Sequence, residues 1–329
     1  MAPTPSPGIR PATYPLLCVL AAIGTACGGG QVQPETPPAV PLTRIVATLP
    51  VAARPFGIDV SSAGVVYVTQ LDGGTVTTAN ASTSKLTGAF FVGSTPTAVA
   101  FNGTGTIAYV ANQASGTISV VNVATGAEAA TIRVSGDPFN VAVSPDGSAV
   151  YVSTNDGRVS RIDPTTRTVT ASVFVGTGPS SLAFRPSSGL LYVSSYVLGT
   201  INEIDPRAMR VLRTFQLGGA LQGMAFARDG SELYVADEAG RLLAVRITDG
   251  AITRSASLSG NPFGLVLTQD GAQIVLSRAI AGDVVIVDRA TFALVRTFAL
   301  GGAPRRVALT RDGLTLVVAN ESGSVTFIK

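Results

Sequence analysis

Apolar and polar residues alternate along most of this chain, and turn-forming residues interrupt the alternation every few positions. The stretch 138–169 is representative, because its β-branched and aromatic residues form short runs in which Val141 and Val143 fit one face of a pleated strand. Pro-Asp-Gly at 145–147 then ends the run, since these residues favour a turn over the centre of a strand. The pattern predicts consecutive antiparallel strands that are joined by tight turns.

The same unit recurs seven times along the chain. Each copy begins with an anchor residue that an apolar run follows. The anchors are Pro55, Pro96, Pro138, Pro179, Leu221, Pro262 and Pro304. Successive anchors lie 41 or 42 residues apart. A constant period of this length is typical of architectures in which each copy is one supersecondary unit.

Each repeat contains four predicted strands, which is the content of one β-propeller blade. The seventh repeat has only three strands before the chain reaches Lys329, and a spare strand at 43–51 precedes the first anchor. We expect this N-terminal strand to complete the last blade, because closing the ring removes exposed sheet edges. The predicted fold is all-β: a seven-bladed β-propeller over residues 41–329 with four antiparallel strands per blade.

Composition excludes several classes of function. The charged fraction is 13% and the net charge is +3, spread along the chain, so a nucleic-acid partner is not expected. The sequence has no histidine. The commonest general base, the commonest metal ligand and a histidine-ligated haem are therefore ruled out.

Residues 1–27 are typical of a signal peptide. Arg10 is the only charged residue before Cys27, and the apolar run 16–23 is too short to span a bilayer. Gly-Thr-Ala-Cys at 24–27 resembles a bacterial lipobox, and lipidation would explain why Cys27 is left without a disulfide partner. The alternative is cleavage by the ordinary signal peptidase, which would release a secreted protein.

Residues 28–40 are rich in proline and glycine and have no strand pattern. They are predicted to be a tether that holds the propeller off a membrane surface. The expected location is the cell envelope, either the periplasm or the cell surface, with a lipid anchor at Cys27.

Short motifs in the second strand of the repeats resemble those of a known family. Tyr-Val-Ser-Thr-Asn at 151–155, Tyr-Val-Ala-Asn at 109–112 and Tyr-Val-Thr-Gln at 67–70 resemble the Tyr-Val-Thr-Asn motif of the YVTN-repeat β-propellers. The resemblance covers residues 43–329 and implies an exported bacterial or archaeal protein. It implies no single activity, because this fold carries binding proteins and enzymes alike.

A propeller brings two sets of loops to one face, around the mouth of its central channel. These are the lead-in loops before the inner strands and the turns between the second and third strands. Aromatic, amide and charged groups that converge on a concavity are what a small-molecule or peptide site requires. The predicted ligand-binding residues are Arg54, Phe56, Asn112, Phe139, Asn140, Asn155, Tyr196, Gln222, Asp237, Phe263, Arg278, Arg305, Arg306 and Asn320.

Two groups of these candidates have a second interpretation. The three phenylalanines follow their anchors directly, and packing between neighbouring blades is the preferred interpretation for them. Arg305 and Arg306, with Arg54 across the ring closure, could clamp an anion or a carboxylate. The alternative for these arginines is pairing with acidic residues.

Two functions remain open from the sequence. The first is a monomeric binding scaffold without a cofactor, which presents one face to a protein, peptide or glycan and reaches a membrane through Cys27. The second is a hydrolase or lyase that resembles the seven-bladed lactonases, with Ca²⁺ held by Asp237, Glu238, Asn155 and Asn320. The streptogramin lyases of similar fold rely on histidine, which this chain lacks. No catalytic residue is assigned.

Overall fold

The computed structural model describes residues 1, 2, 41–52 and 54–329. From residue 41 onward the described residues belong to one compact unit and form 28 strands, which are arranged in seven four-stranded sheets. All strand pairings are antiparallel. Six of the sheets each contain four strands that follow one another in sequence, and the last sheet combines β1 with the final three strands. The predicted seven-bladed β-propeller is confirmed. No helix that could cross a membrane occurs in the described part of the chain.

The innermost strand of each blade begins at the predicted anchor residue. These strands are β2 (Pro55–Val60), β6 (Pro96–Phe101), β10 (Pro138–Val143), β14 (Pro179–Phe184), β18 (Leu221–Phe226), β22 (Pro262–Leu267) and β26 (Pro304–Leu309). Proline is tolerated as the first residue of a strand, because its lack of an N–H group does not interrupt the hydrogen bonds of the ladder there. Just after each anchor the pairing register shifts, so one or two residues leave the regular ladder. Such bulges redirect side chains, and here they do so near the channel.

The second strands carry the tyrosine motifs and form the buried centre of each blade. They are β3 (Val65–Gln70), β7 (Ile107–Asn112), β11 (Val150–Thr154), β15 (Leu191–Ser195), β19 (Glu232–Asp237), β23 (Gln273–Arg278) and β27 (Leu316–Asn320). The motif tyrosines pack against the next blade, as in the contacts of Tyr67 with Phe101 and of Tyr192 with Phe226, whose ring centroids are each 4.9 Å apart. The tyrosine of the motif is therefore an inter-blade packing residue.

The third strands are β4 (Thr75–Asn80), β8 (Thr117–Asn122), β12 (Arg158–Asp163), β16 (Thr200–Asp205), β20 (Arg241–Arg246), β24 (Asp283–Asp288) and β28 (Ser324–Ile328). The aspartates that end several of these strands shape the turns that follow. Asp163, for example, accepts the backbone N–H groups of Thr165 and Thr166, and these hydrogen bonds lower the pKa of its carboxyl group.

The outer strands are more exposed, and one of them comes from the start of the chain. They are β5 (Lys85–Phe91), β9 (Ala127–Arg133), β13 (Thr168–Phe174), β17 (Arg210–Gln216), β21 (Ile252–Ser257), β25 (Leu294–Ala299) and β1 (Ile45–Pro50). In the last sheet the order is β1-β28-β27-β26, so β1 completes blade seven. The ring therefore closes by the predicted pairing of an N-terminal with a C-terminal strand.

The core is divided among the interfaces between blades. Seven apolar clusters are present among the described residues, and each joins two blades that are neighbours in the ring. The cluster of Ile58 and Val66 with Val317 and Phe327 joins blade one to blade seven. Ring closure thus contributes an interface of the same kind as the six within the chain.

Candidate functional site

Two sets of loops meet at one face of the propeller, which we call the mouth face. The lead-in residue Arg54 contacts Asp72 and Glu321, which lie in turns between second and third strands. Arg305, just inside β26, bonds to Glu321 through Nε at 2.6 Å and lies 3.6 Å from Glu238. The structure therefore brings both sets of loops together around the start of the inner strands.

Ion pairing neutralises most of the charge at this face. Glu321 is shared by Arg54 and Arg305; burial opposes its ionisation, but the hydrogen bonds and charges of the two arginines prevail and lower its pKa. Arg54 and Arg305 thus follow the alternative interpretation, in which the arginines pair with acidic residues. The three-arginine clamp does not form, because Arg306 has no part in this network.

The network continues away from the ring closure along blades five and four. Gln222 donates from Nε2 to Glu238 at 3.0 Å and accepts a hydrogen bond from Ser180. Gln222 and Ser180 occupy the position directly after an anchor, where blades one, three and six carry phenylalanine. The position after the anchor is therefore polar in blades four and five and aromatic in blades one, three and six.

The phenylalanines after the anchors meet at the axis of the ring. The ring of Phe56 lies 6.1 Å from that of Phe139 and 5.6 Å from that of Phe263, edge to face in both pairs. These residues belong to blades one, three and six, which are not adjacent, so their rings can meet only across the channel. The expected packing between neighbouring blades is wrong for these three side chains, because the bulge after each anchor turns them inward.

Arg306 points into this aromatic group. Its guanidinium carbon lies 5.8 Å from the ring centres of Phe56 and Phe139 and 5.7 Å from that of Phe263, within range of a cation–π interaction with each. Arg305 stacks on Phe263 at 5.0 Å as well. Phe263 therefore contacts both Arg305, which belongs to the mouth network, and Arg306, which does not.

A cavity of about 350 Å³ occupies the channel beyond the rings. Arg306 and Asp59 are the charged side chains in its wall, and Asn140 also reaches it. Asp59 accepts backbone N–H groups from Val60 at 2.8 Å and from Phe101 at 2.9 Å. Burial raises the pKa of its carboxyl group to about 6, although these hydrogen bonds favour the charged form.

Sequence reasoning did not select Asp59. The corresponding inner-strand positions carry Ala100, Ala142, Ala183, Ala225, Val266 and Ala308. A single carboxylate among six small apolar residues was the signal that could have found it.

Several predicted site residues at the ends of second strands use their polar atoms inside the protein. Asp237 accepts the N–H groups of Ala220 and Ala239 and bonds to Arg241 at 2.6 Å. Asn320 accepts the N–H groups of Ala303 and Ser322 and donates to the carbonyl of Gly301 at 2.8 Å. These side chains tie each lead-in loop to the neighbouring turn of the same blade.

Arg278 and Asn112 make similar internal contacts. Arg278 forms a bidentate pair with Asp283, and Asn112 donates to Thr117 and Ser119. In blade three this position is Thr154, since Asn155 lies one residue further on, in the turn. All four of these second-strand residues therefore hold the shape of the mouth face.

The mouth face also exposes apolar side chains. Tyr196, Val197 and Leu198 form the turn between the second and third strands of blade four, and they are 40%, 52% and 43% exposed. Ile280, in the equivalent turn of blade six, is 75% exposed. A run of three exposed apolar residues differs from the isolated ones that are normal on a protein surface.

Comparison with known proteins identifies the class of the fold. No protein-family model matches this chain, and no curated protein sequence matches it. Among solved structures it is similar to a chain of Kuenenia stuttgartiensis hydrazine synthase, with 23% identity, a TM-score of 0.77, and coverage of 85% of this chain and 96% of that chain. At this identity the likeness shows the fold alone. The chain is thus a seven-bladed β-propeller, and its YVTN resemblance stays a prediction.

The raised pKa of Asp59 predicts how stability depends on pH. The native carboxyl group keeps its proton up to about pH 6, whereas an unfolded aspartate releases it near 3.8, so the native state binds more protons between these values. The free energy of unfolding should therefore fall as pH rises through this window, by up to about 3 kcal/mol from this group. Chemical denaturation of the parent and Asp59→Asn between pH 4 and pH 7.5 measures the difference.

The loss should be absent from Asp59→Asn. Asp146→Asn is the control. Hydrogen bonds from Ser144 and Ser148 lower the pKa of Asp146 to about 2, so Asp146 changes the pH dependence of stability only below pH 4, and this variant should show the same loss as the parent. Parallel pH profiles for the parent and Asp59→Asn would show that the Asp59 carboxyl group is not perturbed.

Proposed function

We propose that this chain is an exported β-propeller scaffold that binds a protein, peptide or glycan at its mouth face. The observation that carries the proposal is the exposed apolar turn 196–198, which lies on the same face as the ion-paired rim. Interfaces between proteins combine an apolar centre with a polar rim, and aromatic residues and arginine are enriched in them. The repeat fold supplies a rigid platform on which these turns keep their positions.

Ion pairing at the rim favours recognition of a partner surface over capture of a small charged ligand. Arg54 and Arg305 already share Glu321, so a ligand would have to displace an existing pair. An exposed pair at a rim contributes mainly to specificity and to the rate of association. The apolar turns would then supply most of the affinity.

The metal-dependent enzyme has no specific support. Asp237 and Asn320 are saturated by hydrogen bonds within their own blades, and Glu238 bonds to Gln222. Across residues 41–52 and 54–329, no group of three or more acidic, cysteine or histidine side chains is placed to hold a metal ion. Binding of Ca²⁺ by Asp237, Glu238 and Asn320 would break these hydrogen bonds, which favours the scaffold over the metal-dependent enzyme.

Membrane attachment through Cys27 belongs to the same proposal. Residues 3–40, which include nearly all of the predicted signal peptide 1–27 and the whole predicted tether 28–40, lie outside the residues that the structure describes, so the proposal rests on their sequence. A monomer that is anchored by its N-terminus through a tether would leave the mouth face free to meet a partner in the cell envelope.

A photo-crosslinker at the mouth tests the scaffold function. In intact cells, p-benzoylphenylalanine in place of Val197 should give discrete adducts, because this side chain is exposed in the apolar turn. The same group in place of Ala208, an exposed residue in a turn at the opposite end of blade four, is the matched control. Mass spectrometry of the purified protein identifies the adducts.

The added change Ile280→Asp should reduce the adducts at position 197 severalfold if both turns contact one partner. Equal adducts at positions 197 and 208, or none at 197, would contradict binding at the mouth face.

Fatty-acid labelling tests the anchor. A clickable palmitate analogue should label the parent and Cys18→Ser alike, and Cys27→Ser should lose the label, because Cys27 is the predicted lipidation site. In-gel fluorescence after immunoprecipitation measures the label. Equal labelling of Cys27→Ser and the parent would contradict lipidation of Cys27.

A further inference from the structure

The Arg306 side chain is only partly buried, and its guanidinium lies in the channel. Its Nε atom is buried and has no hydrogen-bond partner, and burial is the one cause acting on its pKa, which falls to about 10. Arg305 next to it is paired with Glu321 and Glu238. A buried donor without an acceptor is costly, so Arg306 is the group in this channel whose environment is incomplete.

The Arg306 side chain has room in the channel because the other blades carry shorter residues at the equivalent position. The six positions equivalent to Arg306 carry small residues: Gly57, Ala98, Asn140, Ser181, Gly223 and Gly264. The first of these is pressed against the next blade, since a Cβ at Gly57 would lie 2.5 Å from the carbonyl oxygen of Thr97. Only in blade seven does this position send a charged side chain to the axis.

The phenylalanine rings hold the cation but leave its hydrogen-bonding capacity unused. Cation–π attraction acts through the ring faces, whereas a guanidinium has five N–H donors in its own plane. The cavity of about 350 Å³ lies beyond the rings, and Arg306 forms part of its wall. The arginine is therefore oriented by the rings and open to the cavity.

The remaining wall of the cavity suits a small polar ligand. Each inner strand pairs with a neighbour on one side only, so backbone groups along its other edge face the channel. Phe101 shows this directly, since its N–H group bonds to the Asp59 carboxylate of the neighbouring blade. The volume is at the lower limit for small-molecule sites.

We propose that the channel binds a small oxyanion or carboxylate on the Arg306 guanidinium. The planar N–H donors match the two oxygens of a carboxylate or sulfate group. This site differs from the proposed mouth surface, because neither the turn 196–198 nor the ion-paired Arg305 and Glu321 line the cavity. The anion would reach the cavity from the opposite face of the propeller.

Asp59 makes the affinity depend on pH. It is the other charged group in the cavity wall, and its negative charge opposes a bound anion. Anion binding should therefore strengthen as pH falls through about 6, where Asp59 takes up its proton.

Titration calorimetry on the full-length chain with sulfate and with acetate tests the site. The parent should bind one anion, and Arg306→Met should bind it at least tenfold more weakly, because the long apolar side chain keeps the ring contacts without the charge. Arg306→Lys should fall between the two, since it keeps the charge but loses the planar donors. Arg133→Met, which removes an exposed arginine from β9, should bind like the parent.

Asp59→Asn should bind severalfold more tightly than the parent at pH 7.5 and equally at pH 5. This variant and Arg306→Lys keep the test decisive if Arg306→Met does not fold. The proposal would be overturned if the parent bound no anion. It would also be overturned if Arg306→Lys bound the anion as tightly as the parent and Asp59→Asn did not change the affinity. Neither result would bear on crosslinking at position 197.

Discussion

The ladder between β1 and β28 holds the two ends of the propeller together. Thr48 is paired with Thr326 and Leu49 with Val325, so the start of the chain becomes the outer strand of the last blade. This pairing places blade seven beside blade one and completes the apolar cluster between them. An open ring would leave that cluster, and the free edge of β28, exposed to solvent.

The charged groups of the channel, and part of the ion-paired network of the mouth, lie at this closure. Glu321 of blade seven binds Arg54, which leads into blade one, and also binds Arg305 in its own blade. Asp59 and Arg306 line the cavity from the same two blades. At the two inner-strand positions that Asp59 and Arg306 occupy, the other six blades carry uncharged residues. The cavity therefore takes its two charged side chains from the blades where the ends of the chain meet.

The sequence was sufficient to predict the architecture, because the repeat period, the anchor prolines and the spare N-terminal strand each have a single simple structural consequence. It also indicated which loops would converge on one face. It could not separate Arg305 from Arg306, which are adjacent in the chain, although Arg305 pairs with acidic residues of the mouth and Arg306 lines the cavity. That difference depends on the register shift between Pro304 and Val307, which no residue pattern reveals.

The roles of other candidate side chains could not be assigned from the sequence for similar reasons. Phe139 resembles an inter-blade packing residue until its ring is seen beside Phe56 across the axis. Asp237 and Asn320 have the residue types of a binding site, but their hydrogen bonds to nearby backbone groups become evident only in three dimensions. Polar residues next to turns serve loop geometry as often as ligands, and their partners decide between the two.

A disulfide across the closure tests the arrangement on which this account depends. The hydroxyl oxygens of Thr48 and Thr326 lie 3.2 Å apart, so cysteines at both positions, in a Cys18→Ser/Cys27→Ser background, should form an intramolecular disulfide. It would span 278 residues and should raise the free energy of unfolding by about 2–5 kcal/mol relative to the reduced protein. Denaturation of the oxidised and reduced forms measures this difference. Failure of the disulfide to form, or disulfide-linked dimers in place of monomers, would contradict closure of the ring by β1.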